Sequence, residues 1–538
     1  MRRPPLVVAI LLFTAATRPL PVACQDAPRL GGRAEVFAGG ELENYLRYLQ
    51  TLGLVPPYPW GLRAFSPAEL DGLFPADTSH PWARRYDLTP RLAGRLSVDW
   101  VSPTASVRAN SSFPFGYNDG PIWAGKGVTL AAQGGVALRR GPLSVTLAPM
   151  VFVTQNAAFR LEPNDQSGSL AYADGMNPTA IDSPQRFGNS AYGQLDPGQS
   201  TLRIDWHTLA LGLSTGNQYW GPATEFPIML GNNAAGFPHA FLGTAHPVDL
   251  WLLRVHGRIV WGRLGQSAYS AATAAGGIRY GTGLDLVLTS RFVPGLELGV
   301  TRFSHMPWPP GGPRLTDLLR VLHSQQSANQ ANSGADNELA SAFFRWVLPH
   351  SGFEVYGEYG RDDYNLDIRD FIEEPDHRGG YTIGFRKVMT PPGRRLVAVR
   401  AELQNLQFSR LAQGREWVPF YTHGGVRQGH TQLGQVLGSV AGVGGGASGV
   451  AVESYSPRGR WTWSWTRMLR QQRGDFPASG PGDPNGVDVQ RAFAVERLQF
   501  RGRYDVLARA TAVYELNRDF GGDAFDLNLI VGLRLGVR

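Results

Sequence analysis

Three groups of side chains in this sequence have the types and spacing to do chemistry. Glu354, Tyr356 and Glu358 alternate along one segment, followed by Arg361, Asp362, Asp363 and Tyr364. Paired carboxylates can act as the acid and base of a glycosidase. They can also line a hydrated barrel wall whose charges are balanced by arginines on neighbouring strands. The second reading is preferred, because membrane-barrel interiors are polar by default. His239, His246, His423 and His430 form the second group. They contain no i,i+4 pair and no HExxH, and the separation of His423 from His430 matches no standard zinc pattern, so no metal is expected. The third group lies in 214–247, where Asn217, Tyr219 and Trp220 precede Asn232 and Asn233. Aromatic faces stack on sugar C–H surfaces and amides bond hydroxyls. The Gly-Pro and Asn-Asn pairs of the same segment equally suit tight turns. No GxSxG, P-loop or dinucleotide fingerprint occurs in a strand-to-helix context. Gly442 to Gly446 read as loop, not phosphate cradle. No enzyme and no cofactor are expected.

The elements that must position these groups are mostly strands. From about residue 91 the apolar period is two. Leu92, Leu96, Val98 and Trp100 alternate with Arg91, Arg95, Ser97 and Asp99. Val128, Leu130, Val136 and Leu138 share a face, as do Leu296, Leu298 and Val300, and Trp461, Trp463 and Trp465. The C-terminus is the clearest case: Phe525, Leu527, Leu529, Val531, Leu533, Leu535 and Val537 alternate with Asp526, Asn528, Gly532, Arg534, Gly536 and Arg538. Tight turns are read near Arg140-Gly141, His256-Gly257, Val293-Pro294-Gly295, Pro349-His350-Ser351, Pro392-Gly393 and Pro457-Arg458-Gly459. Longer connections are read at 111–127, 154–199, 217–248, 305–338, 362–378, 408–448 and 470–488. Short and long connections take turns, as in outer-membrane barrels, and taking 91–110 as one bent strand gives about 18 antiparallel strands. Even parity puts both chain ends on the periplasmic side. Trp100, Trp251, Trp261, Tyr455 and Trp461 are read as interface aromatics. The rival, a soluble sandwich or propeller, lacks support: no repeat of about 40–50 residues is present.

Ahead of the strands the pattern is helical. Leu42, Tyr45, Leu46, Leu49 and Leu52 recur at helical spacing until Gly53. Ser66, Pro67 and Glu69 form a capping-box start before Leu70, Leu73 and Phe74. Residues 25–90 are therefore expected to form a small periplasmic helical bundle docked near the barrel mouth. Residues 1–24 read as a signal peptide: Arg2 and Arg3 precede an apolar stretch, Leu6 to Ala16, too short to span a bilayer. Cleavage after Cys24 removes the only cysteine. A lipidated Cys24 is the less favoured alternative, since Pro21 stands where such signals carry Leu. No later segment reaches the roughly 18 consecutive apolar residues of a membrane helix, so a membrane form must be a closed barrel.

Composition is compatible with this. Charged residues make up 18%, against about 25% in soluble domains. The net charge of +7 (51 Lys+Arg minus 44 Asp+Glu) is not gathered in a basic tract, so no nucleic-acid partner is expected.

Several motifs resemble the Wzi capsule-assembly family. Gln218-Tyr219-Trp220-Gly221-Pro222, then Leu230-Gly231-Asn232-Asn233 and Phe237-Pro238, is similar to its "WWGPG … LSNNA … FP" segment. Leu46 to Trp60 resembles its N-terminal helix and proline-rich turn. Tyr356 to Asp363 resembles an "E-Y-(G)-x-D-D" strand end. Tyr421-Thr422-His423-Gly424, with Gly429-His430-Thr431 and Leu437-Gly438, resembles a "Y-x-H-G … G-Y/H-T … L-G" block. The resemblance implies an all-β transmembrane barrel (residues 91–538) with an N-terminal helical bundle, and a lectin-like role in holding capsular or extracellular polysaccharide. Tyr219 stands where the family often has Trp and Ala223 where it often has Gly, which leaves the glycan open. On the residues and the resemblance together, Asn217, Tyr219, Trp220, Asn232, Asn233, Tyr421 and His423 are candidate glycan contacts. Glu354, Tyr356, Glu358, Arg361 and Asp362 are candidates for the polar lumen face. A monomer in the outer membrane of a Gram-negative bacterium, in contact with lipid and lipopolysaccharide, is expected. The alternative is a porin or transport channel.

Overall fold

Alternation with period two builds a wall with one apolar and one polar face, and here the wall closes on itself. In the computed structural model, residues 36–63, 65, 66, 69, 70, 73, 79–83, 85, 86, 96–272, 277–322, 336–362, 372, 378–393, 395–407, 419–472 and 486–536 are described. The expected signal peptide, Cys24, residues 91–95, Asp363 and Tyr364 lie outside them. The barrel has 18 antiparallel strands. The first six are β1 (Ser97–Asn110), β2 (Gly127–Arg140), β3 (Leu143–Leu147 and Met150–Thr154), β4 (Tyr192–Asp196 and Thr201–Trp206), β5 (Leu209–Ser214) and β6 (His239–Thr244 and Val248–Leu250). Next come β7 (Leu253–Leu264), β8 (Arg279–Ser290), β9 (Leu296–Pro307), β10 (Asn337–Leu348), β11 (Phe353–Asp362) and β12 (Gly379–Met389). The last are β13 (Leu396–Asn405), β14 (Gly446–Ser456), β15 (Gly459–Gln472), β16 (Val487–Arg501), β17 (Tyr504–Leu516) and β18 (Ala524–Leu535). Val107 of β1 pairs with Leu130 of β2 and with Val531 of β18, which closes the ring.

The interruptions have a common cause. Proline donates no ladder hydrogen bond and sits in sheets only at bulges or edges. Pro103 lies in the register shift of β1 between Val101 and Thr104. Pro149, Pro197 and Pro247 lie in the breaks of β3, β4 and β6. Short turns follow every even strand and long connections every odd one. Two readings are corrected here. His256-Gly257 is no turn but the middle of β7, where His256 pairs with Val287; the turn is at Trp251-Leu252. The connections read as 154–199 and 217–248 contain strand at Tyr192–Asp196 and His239–Thr244.

Side chains sort by parity. Leu527, Leu529 and Val531 point outward and are exposed, while Asp526 and Asn528 between them are buried in the lumen. Trp100, Trp251 and Trp461 are on the outer face, as expected. Tyr455 is not: it falls on the inward parity of β14 and is fully buried against Tyr45 and Trp82. Among the described residues no helix is long and apolar enough to cross a membrane, so crossing rests on the strands.

The N-terminal segment differs from the expected mouth-side bundle, because it enters the lumen. Helix α1 (Glu41–Thr51) ends in a Schellman motif with Gly53 in the left-handed region at φ +72°: Gly53 N–H donates to the Gln50 carbonyl and Leu54 N–H to that of Leu49, both 2.9 Å. A helix buried all round belongs inside a protein, and Tyr45, Leu46, Tyr48 and Leu49 are all fully buried against Val388, Leu396, Ala398, Tyr455 and Leu498 of the wall. The capping box is present: Glu69 Oε2 accepts from Ser66 N–H at 2.7 Å and Ser66 Oγ accepts from Glu69 N–H at 3.2 Å.

Candidate binding face and lumen

The carboxylates of β11 face inward and bind plug, wall and lid in turn. Glu354 is fully buried. Its carboxylate accepts from Arg47 Nε of α1 at 2.9 Å and Thr51 Oγ1 at 3.2 Å. Arg345 of β10 reaches it at 3.2 Å and Arg386 of β12 at 3.9 Å. Arg345 also pairs with Glu297 of β9, which accepts from the Trp60 backbone N–H at 2.8 Å. Glu358 accepts from Ser341 at 2.7 Å, and the Tyr356 hydroxyl donates to Glu402 at 2.7 Å. Asp362 accepts from the Tyr421 N–H. Arg361 is half-buried at the outer end of β11. On the plug, burial opposes the charge of Glu69, but Arg203 and His256 hold its carboxyl well below the usual range.

Residues 215–238 and 419–445 fold inward and cap this network. Trp220 is fully buried, edge-on to Phe303 at 6.1 Å. Tyr219 lies under the Arg63 guanidinium at 3.9 Å and donates its hydroxyl to the Thr224 carbonyl at 2.6 Å; burial pushes its phenol up. Trp220 and Tyr219 pair with Leu62 and Arg63 in a short antiparallel ladder, so lid and plug join inside the barrel. Asn217 donates to the carbonyls of Gly231 (3.1 Å) and Ala234 (2.9 Å), and Asn232 to that of Ala38. Tyr421 is fully buried, stacked on His430 at 5.4 Å, with its hydroxyl on the Ile228 carbonyl at 2.7 Å. His423 Nδ1 accepts from Gly425 and Val426 N–H and caps a turn. Gly221 explains the Gly-Pro: its φ is +81°, and a Cβ there would stand 2.6 Å from Glu358 Oε2. Of the seven candidate contacts, Asn217, Tyr219, Trp220 and Tyr421 are therefore interior residues of a lid. Asn232, Asn233 and His423 are half-buried.

Asn233 leads to the opening. A cavity of about 420 Å³ lies above the lid, bounded by the β1–β2, β3–β4, β5–β6 and β13–β14 connections and the outer end of β15. Trp123, Asn177, Asn233, Gln407, Gln435, Asp174 and Arg470 line it. Asn233 Nδ2 donates to the Val436 carbonyl at 3.1 Å, and its Oδ1 has no partner among the described residues. Arg470 Nη1 bonds Glu515 at 2.6 Å. Burial raises the Asp174 carboxyl, though Asn177 and Met176 N–H groups bond it.

The family model of the capsule assembly protein Wzi matches residues 128–455, from β2 into β14. The chain belongs to that family. The Wzi-family barrel is an outer-membrane protein. Among solved structures it is similar to Wzi of Escherichia coli, an outer-membrane protein described as a carbohydrate-binding β-barrel involved in group 1 capsule assembly, with 14% identity, TM-score 0.60, 93% of this chain and 99% of that one covered. It also aligns with OccK5 (11% identity, TM-score 0.38, 83% and 100% covered) and OprD (9%, 0.40, 83% and 94%) of Pseudomonas aeruginosa. No curated protein matches the chain.

Trp123, Asn177, Gln407, Gln435 and Arg470 were not singled out in the sequence. They come from three different connections and from the outer end of β15, and they share no local pattern. Among the described residues one carboxylate cluster has metal-like spacing, Asp488, Glu515 and Asp519, with oxygens within 4.8 Å of one another. Arg470 and Arg518 already pair with Glu515 and Asp519 (2.6 and 3.0 Å), which makes it an ion-pair cluster.

Proposed function

We propose that this barrel holds capsular or extracellular polysaccharide at the cell surface and that the outer cavity receives its sugar units. The observation that carries the reading is the lining: one half-buried indole, Trp123, beside five amide side chains and the Arg470 guanidinium, above a lumen filled by plug and lid. Indole supplies a stacking face, and amides supply paired donors and acceptors for hydroxyls. Asn233 is the one earlier candidate in this lining; the other six act through the lid beneath it. The reading is non-catalytic: Glu354, Glu358 and Asp362, the carboxylates that invite a glycosidase, are engaged with buried cations, a hydroxyl and a backbone N–H. The protein works as a monomer among outer-membrane lipids.

The test is binding of the purified protein to the producer's own surface polysaccharide. Retention of wild type, with loss in Asn177→Ala and Asn233→Ala, is expected; no retention refutes the reading. The porin alternative predicts large single-channel conductance in a planar bilayer. Conductance at background level is expected here, and release of reducing ends from the polysaccharide would instead favour an enzyme.

A further inference from the structure

The wall has a step on its membrane face. β5 and the outer piece of β6 are six residues each. They stop together at Ser214 and His239, which pair with each other and sit opposite Thr201 and Gly262. Their flanks go on, β4 outward to Tyr192 and β7 to Leu264. The step exists because the chain between Thr215 and Pro238 is drawn inward to form the lid. Outside it lies a groove of about 560 Å³, floored by Leu147, Leu202, Leu213 and Ala240 and walled by Trp261.

Residues 308–322, which follow β9, roof this groove from the lipid side. Their helical turn α2 (Leu315–Leu318) is tied down on the outer face: Trp261 Nε1 donates to the Leu318 carbonyl at 2.9 Å, and the Tyr280 hydroxyl to that of Asp317 at 3.3 Å. Trp308 packs edge-on to Tyr280 at 6.2 Å. Leu315, Leu319 and Leu322 are left exposed, Leu315 by 74%. Apolar side chains on a segment lying against the barrel belong to the membrane interface. One cation marks the rim. Arg263 is exposed, lines the groove and has no side-chain partner among the described residues. Arg314, also exposed, follows Pro313 of the lining.

We infer that this groove seats one acyl chain of an outer-leaflet lipopolysaccharide, with its glucosamine phosphate on Arg263. Apolar floor, lipid-side roof and unpaired guanidinium match an amphiphile that is anionic at the headgroup end. The site is separate from the outer cavity, so glycan binding there neither requires it nor follows from it.

The experiment uses the full-length protein, stripped of lipid in detergent and offered hexa-acylated lipopolysaccharide, its dephosphorylated form or phosphatidylethanolamine. Native mass spectrometry reads the bound lipid. Wild type is expected to retain lipopolysaccharide over phosphatidylethanolamine. Leu213→Trp fills the groove with apolar volume and should lower retention about fivefold or more. Arg263→Gln should lose about threefold, and only for the phosphorylated form. Leu298→Trp, on the lipid face of β9 near its inner end, should change nothing. Should Leu213→Trp lose heat-modifiable migration, Arg263→Gln decides, since an exposed unpaired side chain is not needed for folding. Equal retention by wild type and both groove variants overturns the inference. So does equal loss in Leu298→Trp, or phosphatidylethanolamine retained as well as lipopolysaccharide.

Discussion

Glu354→Gln should release the plug, and Arg47→Met should do so far less. Glu354 is the one carboxylate that the fully buried Arg47 and Arg386 share, while Arg345 keeps Glu297 as a second partner. Neutralising Glu354 leaves two guanidiniums buried without a counter-charge. Removing one partner of a buried pair costs about 3–5 kcal/mol. Arg47→Met instead leaves Glu354 with Arg345 and Arg386, so the charge stays compensated. What it loses is the two-point contact of Nε and Nη2 with one Glu354 oxygen and the bond to the Pro222 carbonyl, together about 2 kcal/mol. The backbone ladder of the wall is untouched in both, so heat-modifiable migration should persist. At 1.4 kcal/mol per tenfold, the larger cost shifts plug opening by about a hundredfold to a few thousandfold and the smaller by about thirtyfold. Trypsin accessibility of Arg47 neighbours and single-channel conductance read the shift. Equal protection of the plug in wild type, Arg47→Met and Glu354→Gln, or a larger effect of Arg47→Met, would refute the reasoning.

Three more outcomes follow from the lid and cavity. Asn177→Ala and Asn233→Ala should each weaken glycan retention about threefold to tenfold with unchanged thermal stability, the worth of one or two net hydrogen bonds; unchanged affinity would remove the cavity from the binding site. Trp220→Ala should lower the melting temperature and raise conductance, since emptying a buried Trp site costs about 3–5 kcal/mol; full stability would contradict its place in the lid. Burial lowers the His430 pKa to about 4 while its ring bonds the Met229 carbonyl. An unfolded lid binds the proton first as pH falls below about 6.5, so this contribution is whole above that pH. It is lost progressively down to about pH 4, by about 3 kcal/mol at most. Melting curves between pH 7 and 4 should show the slope, and His430→Gln should flatten it.

The wall was legible because period two, turn residues and loop parity are local features of the chain. The β18 alternation placed Asp526 and Asn528 in the lumen directly. The errors arose where local pattern underdetermines structure. His256-Gly257 resembles a turn, yet Gly257 serves close strand contact: a Cβ there would meet the Asp285 carbonyl at 3.1 Å. Tyr455 passes for an interface aromatic until register assigns it to the inward face. Of the candidate site, motif residues such as Gly221 and Trp220 were visible. Their burial was not, because it depends on Glu358 and Phe303, far away in sequence.

Plug and lid are not independent closures. The Gly221 N–H donates to the Gly61 carbonyl at 2.8 Å, beside the pairing of Leu62 with Trp220 and Arg63 with Tyr219. Arg63 also bonds the Gly221 carbonyl at 3.0 Å, and Arg47 bonds Pro222. Loosening either layer removes partners from buried polar groups of the other, so their openings should be positively coupled. A cycle of Arg47→Met, Trp220→Ala and the double variant, read by conductance, measures that coupling. A double variant whose stability loss falls short of the sum of the singles by about 0.5 kcal/mol or more is expected. Strict additivity would mean that the ladder carries no energy between them, and that the cavity floor is held by the lid alone.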